Sequence, residues 1–182
     1  MAADLEIRQA RLDDAEAIFE LIAANGDQLV PRSLGNIVES IDRFFIAEAG
    51  AALVGVAAYQ IHPEIGKPEA AAVEIVSVAV AAEHRRGGVG RRLVESVIRR
   101  VTSFSPREVV VLTFAPEFFS ALGFVRIEKT EIMHKLYTGC MNCAKHADPY
   151  TCPEIAMKRE LPRSASLSDA ESRRLAESGR GR

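Results

Sequence analysis

The chain has 182 residues, 48% of them hydrophobic, which is enough to bury one core as a single domain. Its formal net charge of −2 argues against a nucleic-acid surface, so clustered arginines are expected to serve a local anion. No apolar run reaches the length of a membrane span, the start lacks a signal-peptide pattern, and three cysteines near the C-terminus do not resemble a secreted disulfide framework, so a soluble cytoplasmic protein is expected.

Leu5-Glu6-Ile7-Arg8 alternates and predicts a short first strand. Asp13 or Asp14 can cap a helix whose stripe is Ala17, Ile18, Leu21 and Ile22, and Asn25-Gly26 ends it. Pro31 biases Val30 away from helix, after which Ser33 can cap a second helix carrying Leu34, Ile37, Val38 and Ile41. Residues 44–48 and 53–61 read as two strands of a hairpin around Ala49-Gly50-Ala51. A loop over 62–68 leads into 73–80, mostly β-branched and apolar, which suits a strand covered on both faces. Leu93, Val94, Val97, Ile98 and Val101 then share one face of a helix over 91–101. Residues 108–113 predict another buried strand, Pro116 opens a short helix through Leu122 that Gly123 closes, and 124–128 is the next strand. The order β-α-α-β-β-β-α-β-α-β describes an α/β fold, a mixed sheet with helices on both faces. The domain is expected over 1–162, and 163–182, rich in Ser, Arg, Glu and Gly, as a flexible polar tail.

The stretch Arg85-Arg86-Gly87-Gly88-Val89-Gly90 joins the central strand to its helix. Its glycines permit positive φ and close approach of a ligand, and the helix beyond begins with unpaired N–H groups and partial positive charge. With the arginines, this makes an anion site. Neither the Gly-x-Gly-x-x-Gly dinucleotide spacing nor a Gly-Lys-Ser/Thr ending is present. What is present, Arg85-x-x-Gly88-x-Gly90 after Val78-Ala79-Val80, resembles the acyl-CoA pyrophosphate loop of the GNAT N-acetyltransferases. A glycine-rich turn that binds nothing is the alternative. The element order is also the one GNAT domains show, and the resemblance implies that fold across roughly residues 5 to 160. It implies acetyl-CoA as co-substrate, held by Val78, Ala79, Val80, Arg85, Arg86, Gly87, Gly88, Val89, Gly90 and Arg91, with a backbone N–H near Val80 as oxyanion donor.

A closer resemblance lies outside this loop. Leu29-Val30-Pro31-Arg32-Ser33-Leu34, Thr113-Phe114-Ala115-Pro116-Glu117-Phe118-Phe119 and Leu122-Gly123-Phe124 are similar to segments of short bacterial N-acetylglutamate synthases. His134-Lys135, Cys140-x-x-Cys143 and Glu154-Ile155-Ala156-Met157 fit the same family. That resemblance implies acetyl transfer from acetyl-CoA to the α-amine of L-glutamate, the first step of arginine biosynthesis. Glutamine or another small amine is the alternative acceptor, and a non-catalytic acyl-CoA-binding regulatory domain is the alternative of a different class.

Glu74, an acid inside an apolar strand, is the candidate base, because burial would raise its pKa toward working pH. The plain alternative is a strand-end glutamate facing solvent. Arg32 can grip a carboxylate with two hydrogen bonds, and Ser33 or the helix it caps can add a third; in the resembling family this Arg-Ser pair lies at the amino-acid site. Lys135 is a second substrate candidate. Where many GNAT enzymes have a tyrosine as acid, this sequence has Phe119, which cannot donate a proton, and the acid stays unassigned between Tyr137, Tyr150 and neither. Cys140, Cys143, His146 and Cys152 could close a tetrahedral structural zinc site, with reduced cysteines in a compact loop as the alternative. The expected partner is a small amino-acid substrate, with no nucleic acid and no membrane, and pairing of sheet edges would give a homodimer.

Overall fold

The computed structural model describes residues 5–63, 71–106, 108–141, 143, 145–146 and 148–161. The expected tail over 163–182 and most of the loop over 62–68 lie outside the described residues. Strands β1 (Leu5–Gln9), β2 (Phe44–Ala49), β3 (Ala52–His62), β4 (Ala72–Val80), β5 (Glu108–Thr113), β6 (Val125–Arg126) and β7 (Ile155–Glu160) form one mixed sheet in the order β1-β2-β3-β4-β5-β7-β6. Helices α1 (Ala15–Ala23) and α2 (Leu34–Glu39) precede β2, α3 (Val89–Thr102) follows β4, and α4 (Pro116–Ser120) follows β5. Among the described strands only β4 and β5 pair in parallel, and the α3 crossover supplies the connection that such pairing needs.

The predicted order holds, with one addition. β7 inserts between β5 and β6, pairing with β5 along its whole length, from Thr113–Ile155 to Glu108–Glu160. Its sequence, IAMKRE, is apolar only in its first half, so periodicity does not announce it. The strand expected over 124–128 is shortened to Val125–Arg126, with the Ile127 N–H adding one bond to the Ala156 carbonyl at 3.0 Å. Ser33 caps α2 as expected, its Oγ accepting the Asn36 N–H at 3.1 Å. Asp14 stands at the start of α1 but makes no cap bond, because its carboxylate accepts from Arg8 (2.8 and 2.9 Å) and from the Arg11 N–H (2.7 Å).

The sheet is covered on both faces. Leu93, Val94, Val97 and Val101 of α3 bury against Ala47, Val54, Ala57, Ile75 and Val109 on one side. On the other, Ile18 and Ile22 of α1 and Ile37 of α2 bury against Phe44, Ile46, Val56 and Ala58. β4 carries a bulge opposite Val56–Ala58, with Ser77 at φ 54°. The extra residue shifts the alternation, so that Val76 and Ala79 pack toward α1 while Ile75 and Val78 pack toward α3. Toward β5, β4 pairs only at Val73–Val109 and Glu74–Val110. Beyond Glu74 the two strands separate, and the sheet opens into a wedge.

Gly55 fixes the seat of α3. A Cβ there would lie 2.8 Å from Leu93 Cδ1 and 3.0 Å from Val89 Cγ1. Gly55→Val is therefore expected to lower stability by about 1–3 kcal/mol through overpacking, read by urea denaturation.

Candidate active site

A cavity of about 390 Å³ fills the wedge, with β4 from Glu74 to Val78 on one side and Val111 to Ala115 on the other. The link before α2, carrying Arg32, and the turns after Ile132, carrying Lys135, Gly139 and Cys140, complete its wall. Glu74, Val78, Arg32, Lys135, Cys140 and Cys143, singled out from sequence, thus meet in one place although they are far apart along the chain, while the glycine loop, Ser33, His146 and Cys152 are not in its lining.

Arg32 reaches in from the extended link that Pro31 dictates. Its Nε donates to Ser77 Oγ at 2.7 Å, its Nη1 to Asn36 Oδ1 at 2.6 Å, and its guanidinium lies 5.8 Å from the Phe44 ring centroid. The bulge is what presents Ser77 to it, since a regular β4 would have a different parity beyond Val76. Burial lowers the Arg32 pKa from its ordinary value, and the charge of Glu74 opposes that shift.

Glu74 is 3% exposed and lines the cavity, so the solvent-facing alternative does not hold. Its Oε2 lies 2.8 Å from His62 Nε2 and 2.9 Å from Lys135 Nζ. The expectation of a raised pKa is overturned. Burial does push the carboxyl up, but the His62 hydrogen bond and the Lys135 charge outweigh it and hold Glu74 below its ordinary 4.5. Burial likewise pushes Lys135 down, and the Glu74 charge outweighs it, leaving the ammonium above its ordinary 10.5. Lys135 does line the cavity, but its charge is engaged by Glu74.

The glycine loop abuts the end of the wedge. Gly88 caps α3 at φ 82° and Arg86 sits at φ 63°, two left-handed positions that turn the backbone into the N-terminus of a 14-residue helix. A Cβ on Gly90 would come within 3.3 Å of Phe118 Cζ, and Phe118 lines the cavity. Arg85 clamps the loop from behind, donating to the Val80 carbonyl at 3.1 Å and to Asn25 Oδ1 at 2.7 Å. Arg86 is exposed, and Arg91 donates to the Ala121 carbonyl at 3.2 Å. Backbone, more than guanidinium, therefore shapes this loop.

Phe119 is buried between Phe118 and Phe124, edge-on to both rings, and also lines the cavity. Tyr150 is exposed, its hydroxyl 3.4 Å from Met133 Sδ, while the Tyr137 side chain lies outside the described residues. The zinc expectation is overturned: among the described residues, no three His, Cys, Asp or Glu side chains gather closely enough to hold a metal. Cys140 and Cys143 line the cavity, Cys152 Sγ donates to Glu154 Oε2 at 3.6 Å, and the His146 ring lies against Phe114. The turn following Cys140 disperses the four side chains that spacing alone brought together.

Two residues escaped the sequence reading. His62 looked like the start of a loop, yet it ends β3, is 1% exposed and bonds Glu74. The alternation of Ala58, Gln60 and His62 on one face, beside Glu74, was the available signal. Lys145 carried none; its Nζ donates to the carbonyls of Gly26 (3.0 Å), Asp27 and Leu29 and lies 5.4 Å from the Phe114 ring, tying the Cys140 segment to the link that carries Arg32.

Comparison with known proteins agrees with this fold. The acetyltransferase (GNAT) domain family matches residues 40–126. An uncharacterised N-acetyltransferase of Chlorobaculum tepidum is 35% identical over 162 residues, covering 88% of this chain and 99% of that protein. The amino-acid acetyltransferase of Mycobacterium tuberculosis is 29% identical over 136 residues, 72% of this chain and 74% of that protein. Among solved structures, N-acetylglutamate synthase from Neisseria gonorrhoeae complexed with coenzyme A and N-acetyl-glutamate superposes with a TM-score of 0.71 at 24% identity. It covers 90% of this chain, which spans 36% of that one. Among the described residues, no helix is long and apolar enough to cross a membrane.

The Glu74–Lys135 pair makes a prediction about stability. Glu74 contributes above its ordinary 4.5 and loses that contribution as pH falls through its lowered folded value. Lys135 contributes below 10.5 and loses that contribution as pH rises through its raised value, so the pair is fully effective across the neutral range. Lys135→Met should cost about 3–5 kcal/mol at neutral pH by leaving the buried carboxylate short of a partner. Adding Glu74→Gln should recover part of that loss in urea titrations.

Proposed function

The chain belongs to the GNAT N-acetyltransferases, and from that premise we propose that it acetylates the α-amine of L-glutamate from acetyl-CoA, in the cytoplasm, as the first step of arginine biosynthesis. The observation that carries this reading is a half-buried guanidinium and a buried carboxylate, Arg32 and Glu74, on one cavity. Together they complement the carboxylate and ammonium of an α-amino acid. The amino-acid acetyltransferase named among the relatives and the N-acetylglutamate synthase fold support it.

Acetyl-CoA supplies the activated acetyl thioester, and the loop from Arg85 to Gly90 with the N-terminus of α3 would hold its pyrophosphate. Glu74 is ionised at neutral pH, draws in the ammonium and accepts its proton, directly or through one water. With His62 and Lys135 both on Oε2, Oε1 is the oxygen left for that task. The N–H groups of β4 beyond Glu74 on the side of the wedge have no β5 carbonyl to bond, so one near Val80 can stabilise an oxyanion. Phe119 donates nothing, but a thiol near pKa ~8.5 leaves without obligatory protonation.

Glutamine is the second reading, favoured by one observation. Among the described residues the cations lining the cavity are Arg32 and Lys135, and Lys135 is engaged by Glu74, so a second substrate carboxylate meets no further positive charge among them.

Two experiments test these assignments. Gly88→Asp places a carboxylate in open space at a left-handed position that Asp tolerates, so its effect reads charge and not a clash. Its affinity for acetyl-CoA should fall about 10- to 100-fold by isothermal titration, while the neutral Gly88→Asn stays close to wild type. Arg32→Ala should lower kcat/KM for glutamate and glutamine alike, by about 1.5–3 kcal/mol of transition-state stabilisation, if Arg32 grips the shared α-carboxylate. A much larger loss for glutamate would assign Arg32 to the side-chain carboxylate.

A further inference from the structure

His62 is not part of the cavity wall, yet it stands directly behind the residue that is. Its ring is 1% exposed, its Nε2 is 2.8 Å from Glu74 Oε2, and Lys135 Nζ meets that same oxygen at 2.9 Å. No described residue bonds Oε1. The turn Leu136–Cys140, a π-type turn, is fitted over this cluster through Gly139, where a Cβ would lie 2.8 Å from Lys135 Nζ and 3.5 Å from His62 Cε1. The two donors differ in what they can enforce. Lys135 is a point charge on a flexible stem bordering the cavity, where an arriving charged substrate competes for it. The imidazole is rigid, enclosed and unable to follow Glu74 if the carboxylate turns. A carboxylate's terminal torsion is broad, so charge pairing alone leaves its plane unset.

We propose that His62 is a positioning residue for acetyl transfer, holding Glu74 by Oε2 so that Oε1 is presented to the acceptor amine. This rests on the reading of Glu74 as proton acceptor. The other charged or titratable groups that act on Glu74 are Lys135 from the helical turn, Arg32 from the link before α2, Cys140 from the π-type turn and Glu154 ahead of β7. All of them stay in place when the imidazole is removed.

The test follows kcat/KM against pH for wild type, His62→Leu, His62→Asn and His62→Gln, with acetyl-CoA affinity measured on each. Loss of the imidazole in His62→Leu should lower kcat by about tenfold or more and move the acidic limb up by about one pH unit, with acetyl-CoA binding unchanged. His62→Asn, whose short amide does not reach Oε2, should behave the same way and carries the test if the leucine variant does not fold. His62→Gln, which can still donate an N–H to Oε2, should recover most of kcat and return the limb toward wild type. A folded leucine or asparagine variant whose limb and kcat match wild type overturns the proposal. Glu74→Gln separates this from the parent reading. Wild-type turnover in Glu74→Gln sinks both, whereas a dead Glu74→Gln beside an unmoved limb in the His62 variants sinks the positioning role alone.

Discussion

The separation of β4 from β5 after Glu74 and Val110 is the constraint on which the rest depends. Up to that point two parallel strands share a ladder; beyond it, Ile75 to Val80 present an unpaired edge inside the protein. Unpaired backbone in a buried place is costly unless something else bonds it, so such an edge suits a ligand-binding wedge better than a core. The Ser77 bulge belongs to the same construction. It lets β4 remain paired to β3 while shifting its parity, and it presents a hydroxyl to Arg32. Strand pairing thereby determines where the cation sits, and a cation so placed is held by geometry that no local propensity supplies.

Within the wedge, burial and pairing compete, and pairing wins at Glu74 and Lys135. Both are largely removed from water, which disfavours charge, yet each is held ionised by the other, and Glu74 also by the His62 hydrogen bond. A cavity with a fixed negative group and a fixed positive group is preorganised for a zwitterion, because neither charge needs to be created when substrate arrives. Under the proposed function Glu74 would be a weak base, its advantage lying in being ionised, oriented and close, and less in a pKa tuned to neutrality.

The opposite wall is a lattice of long-range contacts. Lys145 binds carbonyls more than a hundred positions earlier in the chain, and its segment carries Phe114 and His146 into contact. This explains why the four spaced Cys and His residues do not gather on a metal: their segment is stretched across the wedge as a wall, with Cys140 and Cys143 facing the cavity and Cys152 turned to Glu154.

Local chemistry was legible wherever one segment decided it. The alternation of β1, the apolar runs of β4 and β5, the stripe of α3, the Ser33 cap and the left-handed Gly88 all follow from periodicity, composition and backbone freedom, which neighbours along the chain suffice to set. The identity of Glu74 and Arg32 as cavity residues was legible for a related reason, since a charge in an apolar run must find a use. What required the tertiary structure was everything set by two segments at once. β7 is a strand because β5 and β6 flank it, His62 meets Glu74 because β4 lies beside β3, and the Glu74 pKa moves down because His62 and Lys135 both reach its carboxylate from other elements. Burial can be inferred from one stretch of sequence, but the partner that reverses its effect is decided only by the fold.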